Sequence, residues 1–467
     1  MNVLLVYPNL LKEEGSPPLG VVSLATILKK NGFNVKIFDF SFNANYNDFE
    51  KEIISFKPNF VGISYITSYA GFAIKCSKIV KKINKKIKVI MGGPHPTLFP
   101  KETLRKKSVD YVIIGEGEET LLELIKNKKL NLIKGLYYKI KGKIIENKPK
   151  EYIKNLDKLP LPDWSLLPTF DKYLKYSKQM PIMISRGCPF HCSYCQPTLN
   201  KMFGKITRFR SPKRVVEELE YLTNKFNISN FVFHDDTFTL KKKWILDFCK
   251  ILKKKKLNIR WKCNSRVGII DDETLSAMKS VGLEKIAFGV ESGSQRILEK
   301  ILNKGIKIKQ IIEAFEQCHK HKIDTTAFIM LGSPTETKRD IIKTINLVKK
   351  IKPGWVSVTR TVILPHTHLL DLAEKKKLSL VKKSDYTDFY YASFLSKTHR
   401  LSVTEGELYK LRGKLYYEWA KSTFFQKTLI KIAVMFISIS SIYFPKLTRK
   451  IFSSLGKIFW IPPNLYA

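Results

Sequence analysis

Along the first 130 residues, short apolar runs alternate with amphipathic stretches of helical period, and no other feature of the chain limits its fold as tightly. The runs VLLVYP (3–8), NVKIFDF (34–40) and FVGISYIT (60–67) read as strands, and KVIMGGPHPT (88–97) as a strand running into a Gly-Gly-Pro turn. VDYVIIGEGEETLLELI (109–125) reads as a strand, a glycine-rich turn and a helix. Between them, PPLGVVSLATILKKNG (17–32) carries apolar residues at helical spacing and closes on Gly32, and AGFAIKCSKIVKKINKK (70–86) is a helix with a lysine face. Strands this short and continuously apolar, separated by helices, are parallel strands covered on both faces. The expected architecture is a doubly wound open sheet, whose ligands bind outside the carboxyl ends of the strands. Pro8, Ser64, Gly92, Gly93, His95, Gly115, Glu116 and Gly117 collect at those ends. Each could by itself belong to an ordinary turn. Neither a P-loop nor the dinucleotide fingerprint is present, which argues against nucleoside triphosphate chemistry.

A linker with a small β ribbon follows over 131–172, where LYYKIKGKIIEN (136–147) alternates like a hairpin around Lys141 and Gly142. SRGCPFHCSYCQP (185–197) then places three thiols, Cys188, Cys192 and Cys195, at spacings of four and three. With His191 inside the cluster, zinc has to be weighed. Zinc wants four ligands around one ion, and here all of them would crowd into one tight loop. A 4Fe–4S cluster on three thiolates fits better, because it leaves one iron open for chemistry.

This C-x3-C-x2-C pattern, with Tyr194 before the last cysteine and an apolar strand in front (181–187), resembles the signature of radical S-adenosylmethionine (SAM) enzymes. The resemblance implies that the open iron chelates the amino and carboxylate groups of SAM, and that one electron cleaves a sulfonium C–S bond to give a 5′-deoxyadenosyl radical. ISNFVFHDDTFTL (228–240), NIRWKCNSRV (258–267), LEKIAFGVESGS (283–294), IDTTAFIMLGSPTET (323–337) and PGWVSVTRTVILP (353–365) read as further strands separated by helices. They make a partial (β/α) barrel of about six units over 173–380, with its site at the strands' carboxyl ends. By resemblance, Tyr194 helps to place the adenine. Asp235 and Asp236 lie near the methionine end of SAM, Arg266 and Glu291 near its ribose or carboxylate, and Gly332 and Ser333 near its adenine. The family usually carries Gly-x-Pro-Gly-Glu-Thr where this chain has Gly332-Ser333-Pro334-Thr335-Glu336-Thr337, so the adenine loop departs locally from the pattern.

The segments PPLG, GGPHPT and GEGEET in residues 1–130 resemble the cobalamin-binding domain that precedes many such enzymes. On that resemblance the eight strand-end residues named above contact cobalamin. The Asp-x-His-x-x-Gly motif that supplies a histidine to cobalt is missing, so His95 is not expected to ligate the metal. No individual catalytic residue can be assigned.

Composition settles lesser points. Seven cysteines, four of them scattered, form no disulfide framework, and MNVLLVYPNL reads as a first strand instead of a signal peptide. A cytoplasmic protein is expected. The four scattered cysteines read as buried apolar residues. The formal charge of +42 comes mostly from lysine, with arginine scarce, which favours a solvated surface or anionic lipid over nucleic acid. From 381 the barrel pattern ends in a helical, basic and aromatic region. Within it, 432–463 joins an apolar run too short to span a bilayer to a basic, aromatic one, as a peripheral segment at the inner face of a membrane would. Three functions are compatible with these features. The first is cobalamin-dependent methylation of an unactivated carbon of a small-molecule or lipid-like substrate, fed by a flavodoxin or ferredoxin. The second is a cyclisation or rearrangement on the same architecture. The third is a non-catalytic cobalamin or SAM sensor.

Overall fold

The computed structural model describes residues 1–10, 17–42, 44–177, 179–195, 198–380 and 398–422. Among these, the chain forms two compact α/β units. The first comprises 1–189 and 198–230, the second 190–195, 231–380 and 398–422.

The first unit is built on a seven-stranded sheet. Its strands are β1 (Asn2–Tyr7), β2 (Asn34–Asp39), β3 (Phe60–Ser64), β4 (Lys88–Gly92), β5 (Tyr111–Ile113), β6 (Leu136–Ile140) and β7 (Lys143–Glu146), in the order β2-β1-β3-β4-β5-β6-β7. β1 to β5 are parallel, and β6 and β7 join antiparallel. The order reverses at β1, which pairs with β2 on one side and β3 on the other, and this creates the switch point where such sheets bind ligands. Val3, Leu4, Leu5 and Val6 are all buried, as a central parallel strand requires. The strand read at 3–8 stops at Tyr7, because Pro8 has no N–H for the ladder. The run at 60–67 stops at Ser64, and a 3-10 turn, Thr67–Tyr69, follows. At the hairpin between β6 and β7, Lys141 and Gly142 both take positive φ, the backbone that matches the twist of a tight two-residue turn. Two short strands, β8 (Met180–Ile182) and β9 (Ser185–Arg186), precede the first cysteine, and β9 pairs antiparallel with β10 (Arg208–Phe209).

The second unit carries β11 (Asn230–Phe233), β12 (Arg260–Ser265), β13 (Leu283–Glu291), β14 (Asp324–Leu331) and β15 (Trp355–Arg360) in the order β15-β14-β13-β12-β11. The pairs from β12 to β15 are parallel. Helices Lys242–Lys255, Asp272–Ser280, Ile308–Lys320 and Lys338–Ile351 connect them. The last is closed at its start by a capping box between Thr337 and Asp340. Ala327, Ile329 and Leu331 of β14 are buried, whereas Phe328 on the opposite face is 39% exposed. One face of the sheet is therefore buried, while the other is largely half-buried.

The helix expected at 405–422 is present as Glu405–Ser422 and packs on β15 and on Lys338–Ile351. Trp419 donates its indole N–H to the Pro353 carbonyl at 2.8 Å and meets Trp355 edge-on, and Arg360 pairs with Glu405 at 2.8 Å. Among the described residues no helix is long and apolar enough to cross a membrane. The segment 432–463 lies outside them.

Candidate functional site

In the first unit an open cavity lies at the carboxyl ends of β1, β3, β4 and β5. Its wall includes Ser64, Gly92, Gly93, Gly115, Glu116 and Gly117, together with Leu5, Leu24, Met183, Met202 and Phe203. Six of the eight strand-end residues are thus brought together, while Pro8 and His95 are buried outside the lining. His95 sits between Tyr65 and Phe99, with Nδ1 3.2 Å from Thr67 Oγ1. Gly93 has φ +92°, and a Cβ there would meet Ser64 Oγ and the Tyr65 backbone at 3.0 Å. A Cβ at Gly115 would find nothing nearer than 3.9 Å. The glycines leave a shallow, mostly apolar floor on which a large flat ligand can approach the backbone.

Glu116 lines this cavity, yet its carboxylate is already engaged. Oε1 accepts from Arg186 at 2.8 Å and from Arg208 at 2.9 Å, and Oε2 accepts from Arg208 at 2.9 Å and from the Ile153 N–H at 2.8 Å. Arg186 also pairs with the buried Glu118 at 2.5 Å. Burial pushes the Glu116 carboxyl up, but the hydrogen bond from Arg208 and the charge of Arg186 outweigh it, and the group lies below its ordinary value. Arg186 and Arg208 are cross-strand partners in the β9–β10 ribbon, where like charges repel unless a counterion sits between them. Local sequence does not reveal this link. The one available signal is arginine on both arms of the ribbon (SRG and RFR) in a chain that otherwise uses lysine.

In the second unit, three polar groups converge beside the cysteine loop. The Tyr194 hydroxyl donates to Glu291 Oε1 at 3.0 Å. Lys304 Nζ donates to the same oxygen at 2.9 Å and to the Tyr194 hydroxyl at 2.9 Å. Glu291 and Lys304 are 7% and 6% exposed, so this is a buried ion pair. A side chain at Gly289 would collide with both partners. Glu291 itself has φ +63°, a conformation L-residues adopt at a cost, and such strain gathers at functional positions. Lys304 was not foreseen, because a lysine in a lysine-rich chain carries no signal of burial.

Arg266, directly after β12, places Nη1 3.6 Å from Cys192 Sγ. Asp235 is buried and Asp236 is exposed after β11. Gly332 and Ser333 form a tight loop whose N–H groups donate to Glu336 Oε2 at 2.6 and 3.0 Å. Burial pushes the Glu336 carboxyl up to about 8. His399 Nε2 lies 2.6 Å from the Gly332 carbonyl. Glu336 and His399 complete this loop from positions outside the set read in the sequence.

Cys192 is buried, and Cys188 and Cys195 are half-buried. Among the described residues no three His, Cys, Asp or Glu side chains gather around one point as a single ion would require. By chemistry, three thiols in one short loop are a donor set for a multi-iron cluster with one open iron, whereas structural zinc takes four ligands. Cys76, Cys249, Cys263 and Cys318 are buried, and burial pushes the thiols of Cys249 and Cys318 up to about 12.

The fold and these two sites define a class, a cobalamin-associated radical SAM enzyme, and comparison with known proteins agrees. Residues 182–348 match the radical SAM superfamily, and residues 13–125 match the B12 binding domain. An uncharacterized methyltransferase of Pyrococcus horikoshii is 37% identical over 393 residues, covering 81% of this chain and 84% of that protein. The anaerobic magnesium-protoporphyrin IX monomethyl ester cyclase of Rubrivivax gelatinosus is 29% identical over 386 residues, 77% of this chain and 68% of that one. Two solved structures share the fold. The radical SAM methyltransferase TsrM of Kitasatospora setae has a TM-score of 0.69 at 18% identity, covering 80% of this chain and 76% of that one. The cobalamin-dependent radical SAM enzyme OxsB has a TM-score of 0.74 at 16% identity, covering 100% and 77%. The chain belongs to the radical SAM superfamily, in the cobalamin-dependent methyltransferase group that joins a B12-binding domain to the radical SAM domain. It is an enzyme whose cofactors are a 4Fe–4S cluster, SAM and cobalamin.

Proposed function

We propose that this enzyme methylates an unactivated carbon of a small-molecule substrate, with Cys188, Cys192 and Cys195 holding the cluster. The observation that carries the reading is that one chain combines the glycine-floored cavity at the switch point with a three-thiol loop flanked by buried charged groups. The bound cofactors supply the methyl group and the one-electron cleavage of SAM. The chain's own residues bind, orient and exclude water. Ser64, Gly92, Gly93, Gly115 and Gly117 form the bed for cobalamin. Glu291, held between Tyr194 and Lys304, presents a fixed carboxylate to SAM. The loop at Gly332 and Ser333, held by Glu336, is the adenine rim. A low-potential one-electron protein of the flavodoxin or ferredoxin type feeds the cluster.

Cyclisation is the second reading, and the similarity to the Rubrivivax cyclase favours it. Substrate mixtures from a strain lacking the gene can be incubated with the reconstituted enzyme and methyl-labelled SAM. A product that carries the label supports methylation. A new product without label supports cyclisation and contradicts the first reading.

A further inference from the structure

Arg266 is a buried cation, 9% exposed, at the end of β12. Its guanidinium carbon lies 3.9 Å from the centre of the Phe190 ring, and its Nη1 donates toward Cys192 Sγ at 3.6 Å. Among the described residues no carboxylate lies within ion-pair distance of it. Guanidinium stays charged at every pH a protein survives, and a buried charge needs a counter-charge. The group facing the Arg266 guanidinium is the Cys192 sulfur, which places the cation beside the position of a proposed cluster ligand. The Phe190 ring packs against the same guanidinium whose N–H faces the sulfur.

We propose that Arg266 is a positioning residue that sets the reduction potential of the iron–sulfur cluster through Cys192. The proposal rests on the reading that Cys192 is a cluster ligand. A three-thiolate 4Fe–4S cluster gains one negative charge when it accepts an electron. A fixed cation and an N–H···S hydrogen bond stabilise the reduced form more than the oxidised one, which raises the potential. The electron comes from the external one-electron donor, and no bond at Arg266 is made or broken. Arg266 thus makes the cluster easier to reduce by that donor.

The test is an anaerobic redox titration of the full-length, cobalamin-loaded, reconstituted protein, following the paramagnetic signal of the reduced cluster and measuring iron per chain. Arg266→Met removes both charge and donor. Its potential should fall by on the order of tenfold in the reduction equilibrium, about 59 mV for a one-electron couple. Arg266→Lys keeps the charge but loses the planar fork and the stack on Phe190, and should fall by less. Phe190→Leu should shift the potential in the same direction. An unchanged potential in a fully loaded Met variant overturns the proposal. If the Met variant takes up no cluster, Arg266→Gln decides: a lowered potential supports the proposal and an unchanged one overturns it. Failure of both variants to bind iron also overturns it, because that would make Arg266 an assembly residue. A Cys192→Ala protein that keeps its cluster would instead contradict the ligand assignment.

Discussion

Replacing Glu116 by Gln removes the charge that lies between Arg186 and Arg208 while keeping its shape. In the native protein one carboxylate accepts three arginine N–H bonds and one backbone N–H, all between 2.8 and 2.9 Å. The Glu116 side chain is 4% exposed and the two arginines 13% and 12%. Arg186 keeps Glu118 in the variant, but Arg208 keeps no carboxylate, retaining the carbonyls of Ile153 and Phe203 and the face of the Tyr152 ring. Breaking a buried pair from one side costs about 3–5 kcal/mol, because the remaining charge is left uncompensated. The residual exposure of the arginines and the retained amide oxygen place Glu116→Gln at the low end, about 3 kcal/mol. Since a domain has only about 5–15 kcal/mol to lose, the effect should be large. Urea unfolding of the cobalamin-free protein at neutral pH measures it. The loss should persist at high salt, since buried pairs are weakly screened. The exposed pair Lys36–Glu52 serves as the control, and Glu52→Gln should leave the midpoint in place. Native Glu116 lies below its ordinary value, so its contribution is present above the unfolded carboxylate range and is lost as pH falls through the folded value. A Glu116→Gln protein within about 0.5 kcal/mol of wild type, an ordinary surface effect, would refute the claim that this carboxylate secures the ribbon ahead of Cys188.

Other outcomes follow from the same geometry. Gly93→Ala should release cobalamin, because a Cβ at φ +92° meets the Tyr65 backbone at 3.0 Å; bound cobalamin per chain, read from its visible absorbance, checks this, and full retention would contradict it. Glu336 has a raised carboxyl, near 8, so the folded protein holds that proton while the unfolded chain loses it. Stability should therefore be full below the ordinary carboxylate range and decline as pH rises toward 8, and Glu336→Gln should flatten that part of a melting-temperature profile. His95→Ala should leave the cobalt electron paramagnetic resonance spectrum of the bound cobalamin unchanged, since the ring is buried against Tyr65, Phe99 and Thr67. Loss of nitrogen hyperfine splitting in that variant would contradict this.

The strands were legible because burial on both faces leaves a local trace: β1 is an unbroken apolar run, and β11 to β15 fall within the runs that read as strands. Among the longer strands the errors lay at ends, where Pro8 stops a ladder and the chain turns after Ser64, whereas the two-residue strand β10 left no trace to read. The cysteine loop was legible because its chemistry needs fixed spacing within a few residues. Partnerships across long stretches of chain were not. Glu116 and Arg208 are 92 residues apart, and Tyr194 and Lys304 are 110 apart. No periodicity connects such positions, and a lysine that neutralises a buried glutamate looks in sequence like any solvated lysine. Glu116 illustrates the limit: the sequence places it at a strand end, where it lines the cavity, but only the structure shows that its carboxylate engages the neighbouring ribbon.

The central claim is that Cys188, Cys192 and Cys195 hold a cluster that cleaves SAM reductively. Its most direct measurement is 5′-deoxyadenosine released from SAM by the anaerobically reconstituted, cobalamin-loaded protein under a low-potential reductant, with iron content measured alongside. The wild type should carry four irons per chain and release 5′-deoxyadenosine. Each of Cys188→Ala, Cys192→Ala and Cys195→Ala should lose both properties. Wild-type levels of iron and of 5′-deoxyadenosine in any one of the three variants would contradict the account.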